Sequence, residues 1–424
     1  MKASELKKQF TGGQYKDLLL DLYEDEALIG YQEERYGKAL DRFVELYGDK
    51  DVEMYSAAGR SEVGGNHTDH QHGCVLAASI NLDTIGIVAK KEGGIKVVSD
   101  NFDVAEIKVD DLEKKDKEEG TSESLIRGVT AKIKEKGYAI GGFEAYMTSD
   151  VLVGAGLSSS ASFETIIGTV LSGLYNENKI DSVEIAKIGQ YAENVYFGKP
   201  CGLMDQCACS VGGLITIDFN DPAKPIVKHV DVDFSTFKHS LCIVDTKGSH
   251  ADLTNEYAAV PAEMKKVAHF FGKEFLRDVN EEDFYASYGK VREACEDRPA
   301  LRAFHFFDEN RRVGKQVLAL EEGRFDDFKA LVQSSGNSSY KFLQNVFAAS
   351  DPMHQNISSG LAMSEHLLGT HGVSRVHGGG FAGTIQAFVE DEYVEGYKKG
   401  MEAVFGEGTC HVLKVRKYGG KKIL

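Results

Sequence analysis

A run of glycine and serine that leads directly into an apolar helical pattern constrains this chain more than any other feature. Residues 154–162 read GAGLSSSAS. The apolar residues that follow recur at helical spacing: Phe163, Ile166, Ile167, Val170 and Leu171. The segment is therefore predicted to be a loop that opens a helix, and a helix N-terminus binds anions through its free N–H groups. Two interpretations remain at this point: a phosphate cradle, or a turn in which Ser158 or Ser159 is the N-cap.

Length and composition exclude several classes of protein. A chain of 424 residues is longer than a usual domain of roughly 100–200 residues, so two or three domains are expected. The net charge of −17 argues against nonspecific binding to nucleic acid, and no apolar run approaches the roughly 20 residues of a membrane helix. The first residues lack a signal-peptide pattern, and the seven cysteines show no repeated zinc-type spacing. A cytoplasmic protein with reduced thiols is therefore expected.

The hydrophobic periodicity predicts a mixed α+β chain. An apolar stripe from Tyr36 to Tyr47 predicts a helix near the N-terminus, and a strand at 142–148 precedes the glycine-serine loop. The polar stretch at 220–224 is the candidate domain boundary. Further helices are predicted near residues 122–136, 183–196, 256–271, 281–296, 300–321, 325–334 and 354–368. Further sheet segments are predicted near residues 54–57, 95–99, 213–219, 240–244 and 384–389, and residues 74–80 and 84–89 fit either buried sheet or packed helix.

A second polar stretch, GRSEVGGNHTDHQHG at residues 59–73, carries many hydrogen-bonding groups. Because buried polar groups without partners destabilise a fold, this stretch is expected to be a loop that faces ligand or solvent. Its histidines and Asp69 match neither a helical zinc pair nor a carboxylate-rich octahedral set, so a metal site is disfavoured. A solvated turn and a sugar-binding loop stay open, since sugar hydroxyls both donate and accept hydrogen bonds.

Four motifs in this order resemble the galactokinase branch of the GHMP small-molecule kinases. Residues 59–70 are similar to the family's sugar-binding motif and residues 154–161 to its serine-rich motif. Residues 202–206 and 378–383 resemble its GxMDQ and glycine-rich motifs. The resemblance implies an N-terminal domain of the ribosomal protein S5 domain 2-like type and a ferredoxin-like C-terminal domain, with the active site in the cleft between them.

The resemblance also implies a division of the chain. Residues 1–50 would be an N-terminal helical extension that either packs on the next domain or covers the cleft. Residues 51–222 would be the N-terminal kinase domain, with the sugar loop and the ATP phosphate loop, and residues 223–424 the C-terminal kinase domain. Sugar and ATP are the implied partners, with no nucleic acid and no membrane, and a monomer is the default because the sequence does not reveal the oligomeric state.

The implied reaction is transfer of the γ-phosphoryl group of ATP to the anomeric C1 hydroxyl of galactose or a closely related sugar. Asp205 matches the catalytic aspartate and Arg60 the arginine beside it. Ser160 and Glu193 match the positions that bind Mg²⁺. The positions matched to phosphate binding are Gly154, Ala155, Gly156, Leu157, Ser158, Ser159 and Ser160. The positions matched to sugar binding are Asn66, His67, Thr68, Asp69, Gly202 and Tyr257.

The sugar motif departs from the family at residues that border the sugar. Asn66 stands where the family has glutamate, and His70 where it has tyrosine. Elsewhere in the motif, Glu62 replaces an asparagine. A neutral amide at position 66 would repel a C6 carboxylate less than glutamate does, so a galacturonate 1-kinase is one alternative. A non-catalytic sensor that binds sugar and ATP is another. Homoserine and mevalonate kinases are disfavoured because residues 67–69 belong to the sugar branch.

Overall fold

The structure, a computed structural model, describes residues 1–100, 102–152, 156–248 and 253–424. In these ranges the first part of the chain forms an eight-stranded sheet in the order β12-β1-β2-β5-β3-β4, with β6 pairing with β2 and β7 with β6. The β3–β5 pair is parallel and the other pairs are antiparallel. The strands are β1 (Glu53–Gly64), β2 (Cys74–Lys90), β3 (Gly94–Ser99), β4 (Ile107–Lys108), β5 (Phe143–Ser149), β6 (Leu214–Asp218), β7 (Ile226–His229) and β12 (Lys421–Lys422).

Helices cover both faces of this sheet. Successive side chains of a strand point to opposite faces, so neighbouring residues pack against different helices. Val88 of β2 packs with the helices on one face, and its neighbour Ile87 packs with the N-terminal helices on the other. The first layer contains α4 (Ser122–Glu135), α5 (Ser159–Asn176) and α6 (Ser182–Tyr191), and α7 (Met204–Val211) packs beside α5 and α6. The second layer contains α1 (Ala3–Thr11), α2 (Lys16–Tyr23) and α3 (Ile29–Tyr47). Residues 1–50 therefore pack on the outer face of the sheet.

The second part of the chain forms a four-stranded antiparallel sheet in the order β11-β8-β10-β9. Its strands are β8 (His239–Asp245), β9 (Gly372–Val376), β10 (Thr384–Glu390) and β11 (Cys410–Leu413). Its helices are α8 (Thr254–Phe270), α9 (Glu281–Ala286), α10 (Tyr288–Cys295), α11 (Asp297–Glu321), α12 (Phe325–Ser338), α13 (Asn356–Leu368) and α14 (Val394–Phe405). One apolar cluster, with Ile80 from the first sheet and Leu241 and Phe388 from the second, joins the two parts.

The α+β class is confirmed, and most differences from the predicted elements concern their length. The two apolar segments at 74–80 and 84–89 form the single strand β2. The polar residues Asn81 and Asp83 between them are buried and hydrogen-bonded to distant groups, so they do not interrupt the strand. The predicted helix at 183–196 changes to a π-helical segment at Ala192–Phe197. The boundary after residue 222 stays a prediction, although β7 and β12 lie beyond it and pair with the first sheet.

Residues 415–424 return to the first sheet after the whole second part. Val415 bridges to Ile80, and the fully buried Arg416 donates from Nη1 to Oδ2 of Asp83 at 2.9 Å. Strand β12 then pairs along the edge of β1. No helix within the four described ranges is long and apolar enough to cross a bilayer.

Candidate active site

Asp205 and Arg60 form an ion pair at the centre of the cleft. Arg60 Nε lies 2.7 Å from Asp205 Oδ1, and Nη1 of the same guanidinium donates to the carbonyl of Gly156. Burial opposes ionisation of Asp205, but the charge and hydrogen bond of Arg60 and a hydrogen bond from Ser158 hold its pKa below the ordinary value. The Asp205 side chain is 32% exposed, so an ionised carboxylate faces the cleft.

The backbone of β1 explains how Arg60 reaches this position. A register shift between Ala58 and Arg60 interrupts the pairing with β2, and such bulges re-aim side chains. Gly59 lies at the shift, where a Cβ atom would come within 3.2 Å of the Leu157 carbonyl and 3.0 Å of Val151. The Arg60 N–H donates to that Leu157 carbonyl at 3.2 Å. The bulge therefore brings β1 against the serine-rich loop.

Ser158 links the serine-rich loop to the Asp205 carboxylate. It occupies the N-cap position of α5 with a left-handed backbone, φ 58°, yet its side chain makes no cap hydrogen bond. Its hydroxyl donates instead to Oδ2 of Asp205. The interpretation of this loop as an ordinary N-capped turn at Ser158 is therefore not supported, because the hydroxyl leaves the helix N–H groups open.

A second cluster of oxygen atoms lies beside this pair. Ser160 Oγ donates to Glu193 Oε1 at 3.2 Å, and the Lys199 ammonium lies 3.0 Å from the same oxygen. Gln206 Nε2 donates to Glu193 Oε2 at 2.8 Å and to Glu164 at 3.1 Å. Burial and the nearby charge of Glu193 hold the pKa of Glu164 well above its ordinary value. Glu193 is thus an oriented carboxylate next to the serine hydroxyl.

A cavity of about 520 Å³ opens on the other side of the serine-rich loop. Ser159 and Ser160 line one side of it, and the end of β5 together with Val151 and Leu152 borders another. Apolar side chains that can enclose an aromatic ring also line it: Phe102, Leu125, Met147, Phe163 and Phe197. A mostly apolar pocket that ends in a helix N-terminus fits a nucleotide.

The polar stretch at residues 59–73 was expected to be a loop that faces ligand or solvent, and for much of it this prediction is wrong. The part that follows β1, residues 65–72, is called the sugar loop. Residues 59–64 belong to β1, and Ser61, Glu62, Asn66 and Thr68 are buried. Several of the polar groups have partners in the second part of the chain. Glu309 of α11 accepts hydrogen bonds from the N–H groups of Gly65 and Asn66 at 3.1 and 3.4 Å.

The Asn66 amide is held entirely by protein groups. Its Nδ2 donates to Glu62 at 3.1 Å and to the Gly378 carbonyl at 2.7 Å. Its Oδ1 accepts from Ser339 at 3.3 Å and from Asn345 at 2.9 Å. These bonds use both donors and both lone pairs of the amide. Direct sugar binding by Asn66 therefore stays a prediction, and the geometry does not favour it.

Other predicted sugar-binding residues lie beside Gly202 or contact the glycine-rich turn at 378–380. Oδ2 of Asp69 lies 2.9 Å from where a Cβ atom on Gly202 would be, so a side chain at this position would displace the Asp69 carboxylate. Burial, and to a smaller extent Asp205, raise the pKa of Asp69. His67 lies across from the glycine-rich turn, with Nε2 2.9 Å from the Gly379 carbonyl. The Tyr257 hydroxyl donates to the Gly380 carbonyl at 2.8 Å.

Thr68 and His70 have different surroundings from those neighbours. The Thr68 hydroxyl contacts the carbonyls of Gly65 and Cys74, so it stabilises the turn. His70 lies beside His67, with its Nε2 3.3 Å from Nδ1 of that ring. Burial, followed by the charge of His67, lowers the pKa of His70 well below its ordinary value. His70 is therefore neutral near pH 7.

Sequence reasoning missed three residues of the site, and two predicted residues cannot be placed. Gly154 and Ala155 lie outside the described residues. Lys199 and Gln206, which hold Glu193, were not selected, although Gln206 ends the motif at 202–206. His377, which lies 2.9 Å from Thr384 and 3.2 Å from Ser61, was also missed. Its contact with Ser61 crosses 316 residues of sequence, which no local pattern reveals.

This fold and site define a GHMP kinase. A family model described as "GHMP kinases N terminal domain" matches residues 124–213, and one described as "Galactokinase galactose-binding signature" matches residues 41–90. Mevalonate kinase of Methanococcus jannaschii has a similar fold, with a TM-score of 0.61 at 13% identity over 86% of this chain and 98% of that one.

More similar proteins identify the branch, and the chain belongs to the galactokinase family. Galactokinase of Streptomyces coelicolor is 30% identical over 87% of this chain and 92% of its own length. Galactokinase of Glaesserella parasuis is 31% identical over 84% and 90%. The galactose complex of Lactococcus lactis galactokinase superposes with a TM-score of 0.75 at 26% identity, covering 90% of this chain and 98% of that one. The chain is therefore a sugar kinase, a phosphotransferase with an alcohol group as acceptor.

Proposed function

We propose that this chain transfers the γ-phosphoryl group of ATP to the C1 hydroxyl of galactose, giving galactose 1-phosphate and ADP. The observation that carries the proposal is the position of Asp205. Its carboxylate is tied to the phosphate loop through Arg60 and Ser158, and it shares the cleft with Asp69 and the sugar loop. A phosphoryl donor and a sugar hydroxyl can meet on the two sides of that carboxylate.

Asp205 would orient the C1 hydroxyl and accept its proton as the oxygen attacks phosphorus. The ion pair with Arg60 keeps the carboxylate ionised, which an acceptor of a proton requires. Arg60 also stands where negative charge develops on the transferred group, and a positive charge preorganised there stabilises the transition state. Most of the catalytic effect would thus come from positioning and charge.

Mg²⁺ fits the oxygens of Ser160 and Glu193. Among the described residues there is no group of three or more His, Cys, Asp or Glu side chains placed for a metal. Mg²⁺ in phosphotransferases is typically bound by one or two protein oxygens, with phosphates and water completing the set, so the pair is sufficient. When bound, the ion would neutralise phosphate charge. Ser160 and Glu193 would hold it, with Lys199 supplying a further positive charge beside the phosphates.

Galactose is favoured over galacturonate and over a sensor without activity. The curated relatives are galactokinases, and the structural neighbour binds galactose. The change to Asn66, which suggested a uronic acid, lies where the amide is occupied by protein groups. The intact Asp205–Arg60 pair favours an enzyme over a sensor. We also infer a cytoplasmic location, since all seven cysteines are unpaired.

The experiment is an assay of ATP consumption with a panel of free aldoses and uronic acids, in which the position of the phosphate on the product is determined. Galactose should give the highest kcat/KM and a product phosphorylated at C1. Galacturonate and glucose serve as matched controls that differ from galactose at C6 and at C4. A higher kcat/KM with galacturonate, or phosphate at another carbon, would contradict the proposal.

A further inference from the structure

Helix α3, in the N-terminal segment of the chain, contacts the strand that leads into the nucleotide pocket. Arg35 of this helix is buried, and its Nη2 donates to the carbonyls of Asp83 and Thr148 at 2.8 and 3.2 Å. Its Nη1 lies 2.7 Å from Asp83 Oδ1 and 2.9 Å from Asp150 Oδ2. One guanidinium thus joins the middle of β2, the end of β5 and the residue after β5.

A second residue of α3 holds the same carboxylate from another side. The Tyr31 hydroxyl donates to Asp150 Oδ1 at 3.0 Å. The N–H of Asp150 donates to the Asp83 carbonyl at 2.9 Å. Both carboxylate oxygens and the backbone of Asp150 are therefore fixed, with α3 responsible for the two side-chain contacts.

Asp150 lies between residues that form one wall of the nucleotide pocket, while its own side chain does not line that pocket and contacts Tyr31 and Arg35 of α3 instead. Thr148, Ser149, Val151 and Leu152, on either side of it, all line the cavity that ends at Ser159 and Ser160. Val151 also packs against Gly59 at the bulge that aims Arg60 toward Asp205. A shift of residues 150–152 would therefore change the shape of the nucleotide pocket and disturb its border with the catalytic arginine.

Covering the sheet does not explain these contacts. The apolar residues of α3 that pack on the sheet include Tyr36, Leu40 and Phe43. Tyr31 is 51% exposed and lies outside that cluster, so it adds little apolar burial. Its hydrogen-bonded contact with Asp150 serves to position that residue rather than to form the core.

We propose that Tyr31 and Arg35 are positioning residues for the nucleotide site: they hold Asp150 so that residues 151–152 form one wall of the ATP pocket. The N-terminal helices then contribute to ATP affinity without touching ATP. This inference rests on the proposed function, because it takes the cavity at Ser159 and Ser160 as the ATP site.

The test measures the Kd for ATP by equilibrium dialysis, together with the KM values for ATP and galactose, for Tyr31→Phe and Asp150→Asn. Loss of one hydrogen bond should weaken ATP binding about threefold in Tyr31→Phe, and loss of the charge contact with Arg35 should weaken it about tenfold in Asp150→Asn. The KM for galactose should stay within about twofold in both variants, since the sugar loop is held by the second part of the chain.

Tyr15→Phe is the matched control. It removes the same atom from the same N-terminal segment, but the Tyr15 hydroxyl bonds to Gln9 within that segment. Its Kd for ATP should equal the wild-type value, while thermal unfolding records any loss of stability in all three variants. A rise in the Kd and KM for ATP without a rise in the KM for galactose supports the inference. A general loss of folded protein would lower the amount of active enzyme and leave both KM values unchanged.

Three results would overturn the inference, and they are distinguishable. If wild-type protein binds ATP and both variants bind it equally well, Tyr31 and Asp150 do not position the pocket, and the proposed function stands. If wild-type protein binds no ATP, the proposed function and this inference both fail. Equal increases in the KM for ATP and for galactose would also contradict a role confined to the nucleotide site.

Discussion

The residues around Asp205 and the residues around Asn66 lie in one cleft but are held in place from different directions. Asp205 is oriented by Arg60 and Ser158, which both belong to the first part of the chain. The loop at Asn66 also belongs to the first part, yet its partners are Glu309 and other groups of the second part. The proposed phosphate side, around Asp205, is thus built within the first part of the chain. The proposed sugar side, around Asn66, depends on the contact between the two parts.

This difference has a consequence for how substitutions should act. A change on the phosphate side removes charge or a proton acceptor from the reacting atoms, so it should lower kcat. A change among the partners of the sugar loop should alter the shape of the acceptor site, so it should raise the KM for sugar and weaken the fold.

Asp205→Asn should lower kcat by about three orders of magnitude, because the amide cannot accept the proton of the C1 hydroxyl. ATP binding should change by less than about threefold, since the carboxylate is not part of the phosphate cradle. Rapid-quench kinetics and ATP dialysis measure the two quantities. The surface variant Asp41→Asn, whose carboxylate pairs with Lys7, is the control and should keep wild-type turnover. Wild-type kcat in Asp205→Asn would remove Asp205 from the mechanism.

Arg60→Met should lower kcat about a hundredfold and shift the pH dependence of kcat/KM. Arg60 holds the pKa of Asp205 below its ordinary value, so protonation of Asp205 should lower the activity of the wild-type enzyme only in strong acid. Without the guanidinium the pKa of Asp205 rises, and the acidic limb of the profile moves to higher pH. Arg42→Met, which breaks a surface pair with Glu45, should leave the profile unchanged. An unmoved limb in Arg60→Met would show that Arg60 does not control this ionisation.

Glu309→Gln should weaken sugar binding and the fold but leave ATP binding unchanged. The substitution removes the charge that accepts hydrogen bonds from Gly65 and Asn66 and leaves Arg312 without its partner. We expect the KM for galactose to rise about tenfold and the free energy of unfolding to fall by about 3 kcal/mol, while the Kd for ATP stays constant. Glu321→Gln, on the exposed end of the same helix, is the matched control. An equal loss of ATP affinity would mean that the two sides of the cleft are not separately held.

The contact between the two parts should also weaken in mild acid. Burial lowers the pKa of His305 to about 4, and the neighbouring arginines together with His305 lower that of Glu309 to about 2 against the effect of burial. Both folded pKa values lie below the unfolded ones, so the unfolded state binds more protons as pH falls and stability decreases.

Protonation linked to His305 should lower the free energy of unfolding by about 2 kcal/mol between pH 7 and pH 5, as measured by urea unfolding. This stability is present above the unfolded pKa of about 6.5 and is lost progressively toward pH 4. Glutamine at position 305 cannot titrate, so in His305→Gln the free energy of unfolding should change less between the two pH values. An identical slope in wild type and variant would exclude His305 as a source of the pH dependence.

Much of the fold and part of the site could be predicted from the sequence. Periodicity gave the helix that ends at Tyr47 and the helix after the serine-rich loop, since both carry an apolar face. Motif order paired Arg60 with Asp205. The burial of the sugar loop was not predictable, because composition shows that Asn66 is polar but not that three distant groups, together with the nearby Glu62, satisfy its amide. The left-handed backbone of Ser158 and its bond to Asp205 likewise depend on tertiary contacts.

The return of residues 415–424 to the first sheet bears on the order in which the protein folds during synthesis. The buried carboxylate of Asp83 receives Arg416 only after the ribosome has made more than three hundred further residues, as their separation of 333 shows. Until then Asp83 has Arg35 as its other cationic partner, and the edge of β1 lacks the strand β12. The first part of a nascent chain therefore stays incomplete while the second part emerges, which favours a late, concerted closure over domain-by-domain folding.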